Sequence, residues 1–153
     1  MALHLRDVLL GNTTTRRRRY ASVALPPVLF VLTFAAYALD VFQVSGGVVF
    51  LAAHAALVGI VGAAWVGYRR AGLVVAWVTT YAALLGQSAD HYLLSQSPSH
   101  SLADRAAAFL QPDGLVFLGV EALVLGTLAY LLGALCERGM SRIAAGATSP
   151  DGS

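Results

Sequence analysis

Three long stretches of this sequence carry a single formal charge each, and they constrain the fold more than any other feature. The stretches and their acids are 20–68 with Asp40, 71–103 with Asp90, and 114–136 with Glu121. A helix of about 20 apolar residues crosses the hydrocarbon core of a bilayer, which is roughly 30 Å thick. Because Ser-Gly-Gly at 45–47 interrupts the first stretch, that stretch has room for two such helices. The sequence therefore predicts membrane spans.

The composition supports the same class of protein. Of the 153 residues, 58% are hydrophobic and 12% are charged, whereas about 25% are charged in a typical soluble domain. So few charges do not cover the surface of a soluble protein of this size. The single cysteine excludes a disulfide scaffold, and the length allows one domain. An integral membrane protein remains.

We predict an all-α polytopic membrane protein, an antiparallel four-helix transmembrane bundle in the cell membrane. The spans are expected near 21–44, 47–68, 72–94 and 114–136. They must be helical, because an open strand edge leaves backbone polar groups unpaired in lipid. Tight turns join the first three spans, so consecutive spans should pack as antiparallel neighbours. Residues 1–20 are expected to form a basic cytoplasmic segment, and residues 137–153 a disordered cytoplasmic tail.

The arginines predict the orientation, since the chain has no lysine. Nine of the ten lie on one side of the predicted spans, namely Arg6, Arg16, Arg17, Arg18, Arg19, Arg69, Arg70, Arg138 and Arg142. Positive charge is retained in the cytoplasm, so both termini are expected inside. The residues expected to contact lipid head groups are Arg16, Arg17, Arg18, Arg19, Arg69 and Arg70. Because a span begins soon after Arg19, we expect no nucleic-acid partner.

The first span has an alternative interpretation. Residues 16–38 also resemble a signal peptide, with a basic start, an apolar run and Ala36-Tyr37-Ala38 as a cleavage sequence. The apolar run is long for a signal peptide, and cleavage would leave an odd number of spans. We therefore predict that the span is retained.

The loop between the third and fourth spans, 95–113, has a pattern of its own. Ser101 and Asp104 resemble a helix capping box, with Asp in place of the usual Glu. The apolar residues Leu102, Ala106, Phe109 and Leu110 follow at helical spacing. The loop therefore predicts a short amphipathic helix at the outer face, either as a plain connector or as a lid.

Seven polar residues inside the predicted spans are the candidates for function. They are Tyr37, Asp40, His54, Gln87, Asp90, His91 and Glu121. An ionisable group at the centre of a membrane helix costs roughly 2.5–3.5 kcal/mol on insertion scales. With a rise of about 1.5 Å per residue, the five ionisable groups (Asp, His and Glu) all fall in the outer half of the bilayer. The sequence therefore predicts one shared polar cluster near the outer face.

Helical spacing places some of these residues together. Gln87, Asp90 and His91 stand at i, i+3 and i+4, so they share one face of the third span. Tyr37 and Asp40 stand at i and i+3 on the first span. If these faces meet, an aspartate accepts a hydrogen bond from an imidazole of the cluster.

Three interpretations of the cluster remain open. It forms a buried polar network that fixes helix pairing, or a transport or proton-relay site, or a metal or haem site at His54 and His91. The spacing fits no metal motif, so we predict no haem, divalent metal or other cofactor. No catalytic motif is present. We predict a non-enzymatic membrane component or accessory subunit, with a small transporter or proton-coupled channel as the alternative.

The fourth span carries a seam of small residues. Its members are Gly119, Ala122, Gly126, Ala129 and Gly133, which alternate by three and four positions. Small residues allow another helix to approach closely in lipid. The seam therefore predicts either packing within the chain or contact with a second copy or a membrane-protein partner.

Overall fold

The computed structural model of the protein describes residues 8–11, 16–42, 53–94 and 101–147. In these ranges the chain is helical and contains no strand, as predicted. The helices are α1 (Arg16–Ala38), α2 (Ala53–Tyr68), α3 (Leu73–Leu93), α4 (Leu102–Phe109) and α5 (Pro112–Ala147). Residues 8–10 are also helical.

The helix bounds differ from the predicted spans at both ends of α1 and at the end of α5. α1 begins before the predicted start and ends at Ala38 rather than near residue 44. The predicted residues 47–52 of the second span lie outside the described part of the chain. α5 continues to Ala147, through much of the segment expected to be disordered, whereas α3 matches its span closely.

α1 and α2 end in the same way, and this explains the early end of α1. Asp40 has a φ of 53° and Arg70 a φ of 51°, so both are left-handed. The backbone N–H of Val41 donates to Ala36 O at 2.9 Å, which closes the last turn of α1. This is a Schellman-type end with a non-glycine residue at the left-handed position. The chain therefore leaves the helix axis before Asp40.

α3 is the centre of the bundle. It packs against α1, α2 and α5, and α4 lies against it as well. Successive long helices alternate in direction, with the end of α1 beside the start of α2. α1 and α2 are antiparallel neighbours, as predicted, but among the described residues α1 packs more extensively on α3 than on α2. α1 packs mainly on α3, and Gly86 of α3 allows the close approach because it has no side chain. A Cβ on Gly86 would lie only 2.7 Å from the carbonyl oxygen of Phe30 in α1.

The interior is built from small residues. The buried ones include Ala55, Ala56, Ala63, Ala76, Ala83, Ala89, Ala122, Ala129, Thr33, Thr79 and Thr80. The threonine hydroxyls donate to backbone carbonyls one turn earlier, so none of the three is an unsatisfied donor. The large aliphatic side chains of α1 and α5 are mostly on the outside, whereas Leu84 of α3 and Val66 of α2 are buried.

The seam of α5 faces this interior. A Cβ on Gly133 would collide with the carbonyl of Ala64 in α2, and a Cβ on Gly126 would lie 3.1 Å from the Trp77 ring in α3. Ala122 and Ala129 are also buried. The seam from Ala122 to Gly133 is therefore used for packing within the chain.

Residues 8–11 pack on the turn between α2 and α3. Gly11 (φ 74°) and Gly72 (φ 111°) are both left-handed, and their backbones touch. A Cβ on Gly72 would lie 2.6 Å from the carbonyl carbon of Leu10. Only glycine permits this approach.

One helical segment among the described residues, Pro112–Ile143, is long and apolar enough to cross a membrane. Ser22–Ala38 and Ala53–Tyr68 are apolar but shorter. α3 is long enough, but its last turns carry polar residues such as Gln87 and Asp90. By length and composition, the described ranges contain one candidate span, where the sequence predicts four.

Candidate functional site

The two ends of the bundle differ in charge. The arginine end consists of the start of α1, the turn at 69–72 and the end of α5, with Arg69, Arg70, Arg138 and Arg142. The histidine end consists of the end of α1, the start of α2, the end of α3, α4 and the start of α5. All seven predicted site residues belong to elements of the histidine end. The side chains of Arg16, Arg17, Arg18 and Arg19, and all of Arg6, lie outside what the structure describes.

Three helices meet around Tyr37 at the histidine end. The ring of Tyr37 is 5% exposed and meets Phe42 edge to face, with centroids 5.4 Å apart. Phe42 stacks on His54 at 5.1 Å, with the two planes 13° apart. The tyrosine hydroxyl reaches the backbone of Ala55 and lies near the carboxylate of Asp90. Side chains of α1 and its following turn therefore contact both α2 and α3 here.

Asp90 is the buried acid of this group. It lies in the last turn of α3 and is 7% exposed, beside Tyr37. A carboxylate in a low-dielectric environment is costly unless neighbouring dipoles and hydrogen bonds stabilise it. Because Asp90 is buried where helices meet, its stability depends on the polar groups of the neighbouring helices.

Two predicted members lie on the outside of the group. His91 is exposed, and its ring meets Tyr92 edge to face at 5.2 Å. Asp40 is exposed in the turn after α1, so the prediction that it shares a helix face with Tyr37 is wrong. The reason is the left-handed end of α1, which turns Asp40 away from the helix.

Glu121 and Gln87 are half-buried. The Oε1 atom of Glu121 is buried and has no hydrogen-bond partner within the described ranges. Ala122 and Leu118, close to Glu121 in the sequence of α5, belong to the apolar packing around Tyr37. Of the predicted cluster, the structure places Tyr37 beside Asp90, and Phe42 links Tyr37 to His54.

α4 covers the end of α3. The Ser101 hydroxyl donates to Asp104 Oδ2 at 2.6 Å and accepts the Asp104 backbone N–H at 3.2 Å, so the predicted cap is present. Arg105 Nη1 donates to the carbonyl of Leu93 at 3.2 Å, which satisfies a carbonyl at the C-terminal end of α3. A charge-assisted hydrogen bond therefore connects the amphipathic helix α4 to α3.

Sequence reasoning missed two residues of this end. Phe42 links Tyr37 to His54, but the sequence placed it inside a span, where one more aromatic residue carries no signal. Arg105 is the one arginine that the sequence places on the outer side of the spans. No sequence signal links it to the end of α3, since the favourable effect of a cation is confined to the last turn of a helix.

The described residues contain no group of three or more His, Cys, Asp or Glu side chains that could hold a metal ion. Comparison with protein-family models, curated proteins and solved structures found no match to this chain. The interpretation of the site therefore depends on its own geometry.

Proposed function

We propose that the chain is a small integral membrane protein whose helices α1, α2, α3 and α5 cross the bilayer, with both termini in the cytoplasm. The observation that carries this proposal is the distribution of side chains by size. Alanine, glycine and threonine make up most of the interior, while most leucines and valines of α1 and α5 are on the outside. A protein in water buries its large aliphatic side chains, whereas membrane helices associate through small residues.

The exposed aliphatic side chains support more than one span. They occur on α1 (Val31), on α2 (Val61) and on α5 (Leu132), each 60% exposed or more. Contiguous apolar surface of this kind is rare on soluble monomers. α2 has 16 residues and rises about 24 Å, which is most of the roughly 30 Å of a hydrocarbon core.

Within that class we propose a non-enzymatic role, as a membrane component or accessory subunit. The group around Tyr37 supports this, because its rings and the buried Asp90 join α1, α2 and α3 at one end. A polar group shared by several helices fixes which helices pair, and in what register.

Topology is tested by cysteine labelling of the full chain in cells. Gln111→Cys and Ser141→Cys are made in a Cys136→Ser background, since both positions are exposed. A membrane-impermeant maleimide should label Gln111→Cys in intact cells and Ser141→Cys only after permeabilisation. Equal labelling of the two in intact cells contradicts the four-span topology, and recovery of the chain without detergent contradicts the membrane proposal.

A small transporter or proton-coupled channel is the second candidate. Two observations favour it, namely the burial of Asp90 and the buried, unpartnered Oε1 of Glu121 within the described ranges. Ionisable groups inside a membrane bundle are common in proton and ion pathways.

Flux measurements separate the two candidates. The chain is reconstituted into liposomes that contain a pH-sensitive dye, and a proton gradient is applied. Transport predicts flux that Asp90→Asn abolishes, while Asp113→Asn, which alters an exposed acid at the same end, leaves it unchanged. The accessory role predicts no flux above empty liposomes for any variant.

A further inference from the structure

A stripe of apolar side chains on α2 ends at an arginine. Leu57, Val61 and Trp65 follow one another at intervals of four residues and are 58%, 68% and 55% exposed. Side chains four residues apart lie on one face of a helix. Arg69 comes four residues later, and its guanidinium carbon lies 5.4 Å from the centre of the Trp65 ring. An apolar band and a positive charge thus follow each other on one face.

The two neighbouring arginines of this turn have different partners. Arg70 donates from Nε to Glu137 Oε2 at 2.9 Å, so its charge is compensated by α5. Arg69 is exposed, and the partner the structure gives it is the Trp65 ring. No carboxylate within the described ranges forms an ion pair with Arg69. Its positive charge is therefore available to a ligand.

The tryptophan beneath Arg69 is itself supported. The rings of Trp65 and Tyr68 stack with centroids 6.1 Å apart, and the Tyr68 hydroxyl faces the sulfur of Met140 on α5 at 4.0 Å. A cation over a tryptophan face is attracted by the ring quadrupole. The guanidinium is thus positioned by a chain of contacts that reaches α5.

We propose that this face binds one anionic phospholipid of the cytoplasmic leaflet, with its phosphate at Arg69 and an acyl chain along Trp65, Val61 and Leu57. This inference rests on the proposed membrane function. From Leu57 to Arg69 the helix rises about 18 Å, which is close to the roughly 15 Å depth of one leaflet of the core. The uncompensated charge of Arg69 selects an anionic lipid over a zwitterionic one.

Trp65 provides the probe, because the chain has two tryptophans and Trp77→Phe leaves Trp65 alone. The full chain is reconstituted into phosphatidylcholine vesicles that contain increasing fractions of phosphatidylglycerol. Bromine on the acyl chains of one lipid or the other quenches Trp65 when that lipid occupies the face. An arginine near an anionic surface is worth about 1 kcal/mol, so we expect about a fivefold preference for phosphatidylglycerol.

Matched variants test the role of Arg69. Arg69→Gln should reduce the preference to about onefold, while Arg142→Gln, which removes the same charge from an exposed position at the same end, should leave it about fivefold. If Trp77→Phe does not fold, the same ratios are measured with Trp77 as a constant background.

Three outcomes overturn the lipid site. They are no preference in the parent chain, an equal loss in Arg142→Gln, and absence of quenching by either lipid, which indicates that a second copy or a partner covers the face. A chain that enters vesicles but shows no preference contradicts the lipid site alone. A chain that does not enter vesicles contradicts the proposed membrane function.

Discussion

The arginine end and the histidine end hold their helices together by different means. At the arginine end, backbones meet directly, since Gly67 lies against the backbone of Tyr130 and Gly133 against that of Ala64. At the histidine end, α5 carries Gly114 and Gly119, and a Cβ on either glycine would lie within 4 Å of no atom of another described helix. The glycines of α5 therefore meet the backbone of α2 at the arginine end, whereas Gly114 and Gly119 face open space.

The contrast shows that a small residue stabilises a helix pair only where a partner backbone reaches it. Where the glycines of α5 meet no partner backbone, larger side chains provide the contacts between helices. Tyr37 and Phe42 from α1 and the following turn, together with His54 from α2, provide the contacts at the histidine end. The buried carboxylate of Asp90 lies at this end, among these larger side chains.

The largest effect should come from filling the close contact at the arginine end. Gly133→Ala places a methyl group where the Ala64 carbonyl lies, so α2 and α5 must separate. We expect a loss of about 3 kcal/mol in unfolding free energy, measured by thermal unfolding in detergent with tryptophan fluorescence. The control is Gly119→Ala in the same helix, which should be neutral or stabilising, because alanine has the higher helix propensity. Equal losses in both variants would contradict the difference between the ends.

The second effect is at the histidine end. Tyr37→Leu removes the edge-to-face contact with Phe42 and the hydroxyl beside Asp90. We expect a loss of about 2 kcal/mol in unfolding free energy in the same assay. Tyr20→Leu changes the same residue type at an exposed position and should shift the free energy by less than about 0.5 kcal/mol. A loss below that value for Tyr37→Leu would show that the aromatic group does not hold this end.

Much of the fold follows from local sequence signals. The charge-poor stretches and the Ser101–Asp104 cap predict helices that the structure contains, because apolar runs and caps act within one element. The sequence also predicts that Arg69, Arg70, Arg138 and Arg142 lie at the same end of the bundle, because they occur at the same side of the predicted spans. The sequence does not predict which neighbour the small-residue seam of α5 contacts. Small residues specify that a helix approaches, but they do not identify which helix it is.

The site was predicted less well because its geometry depends on backbone termination and on contacts between helices. Asp40 was expected to share a helix face with Tyr37, yet no glycine or proline in 39–42 signals that α1 ends before it. Phe42 acts through a contact with His54, twelve residues away across a segment without periodic pattern. Such contacts depend on the relative positions of the helices, which cannot be predicted from the sequence of one segment.

The third prediction concerns the middle of the bundle, between the two ends. The Trp77 indole N–H donates to Thr127 Oγ1 at 2.9 Å, which joins α3 to α5. Thr127→Val leaves that donor without its acceptor, and we expect a loss of about 1 kcal/mol, within the range of interhelical hydrogen bonds in membranes. Thr33→Val removes only a bond to Leu29 within α1 and should cost less. If the two variants are equally destabilised, the bond between helices adds nothing.

The smallest effect compares the helix ends themselves, since α1 ends at the histidine end and α2 at the arginine end with the same left-handed geometry. Asp40→Gly removes the steric cost of a side chain at φ 53° and should stabilise the chain by up to about 1 kcal/mol. Arg70→Gly gains similarly, but it also loses the exposed ion pair with Glu137, which contributes about 0–1 kcal/mol.

The gain from Arg70→Gly should therefore be smaller than that from Asp40→Gly at low ionic strength. At about 1 M salt the Debye length falls to roughly 3 Å, so the ion pair contributes less and the two gains should converge. The comparison is made in the same detergent at both salt concentrations. A difference that does not change with salt would show that the ion pair is not its cause, and that the two helix ends differ in backbone strain.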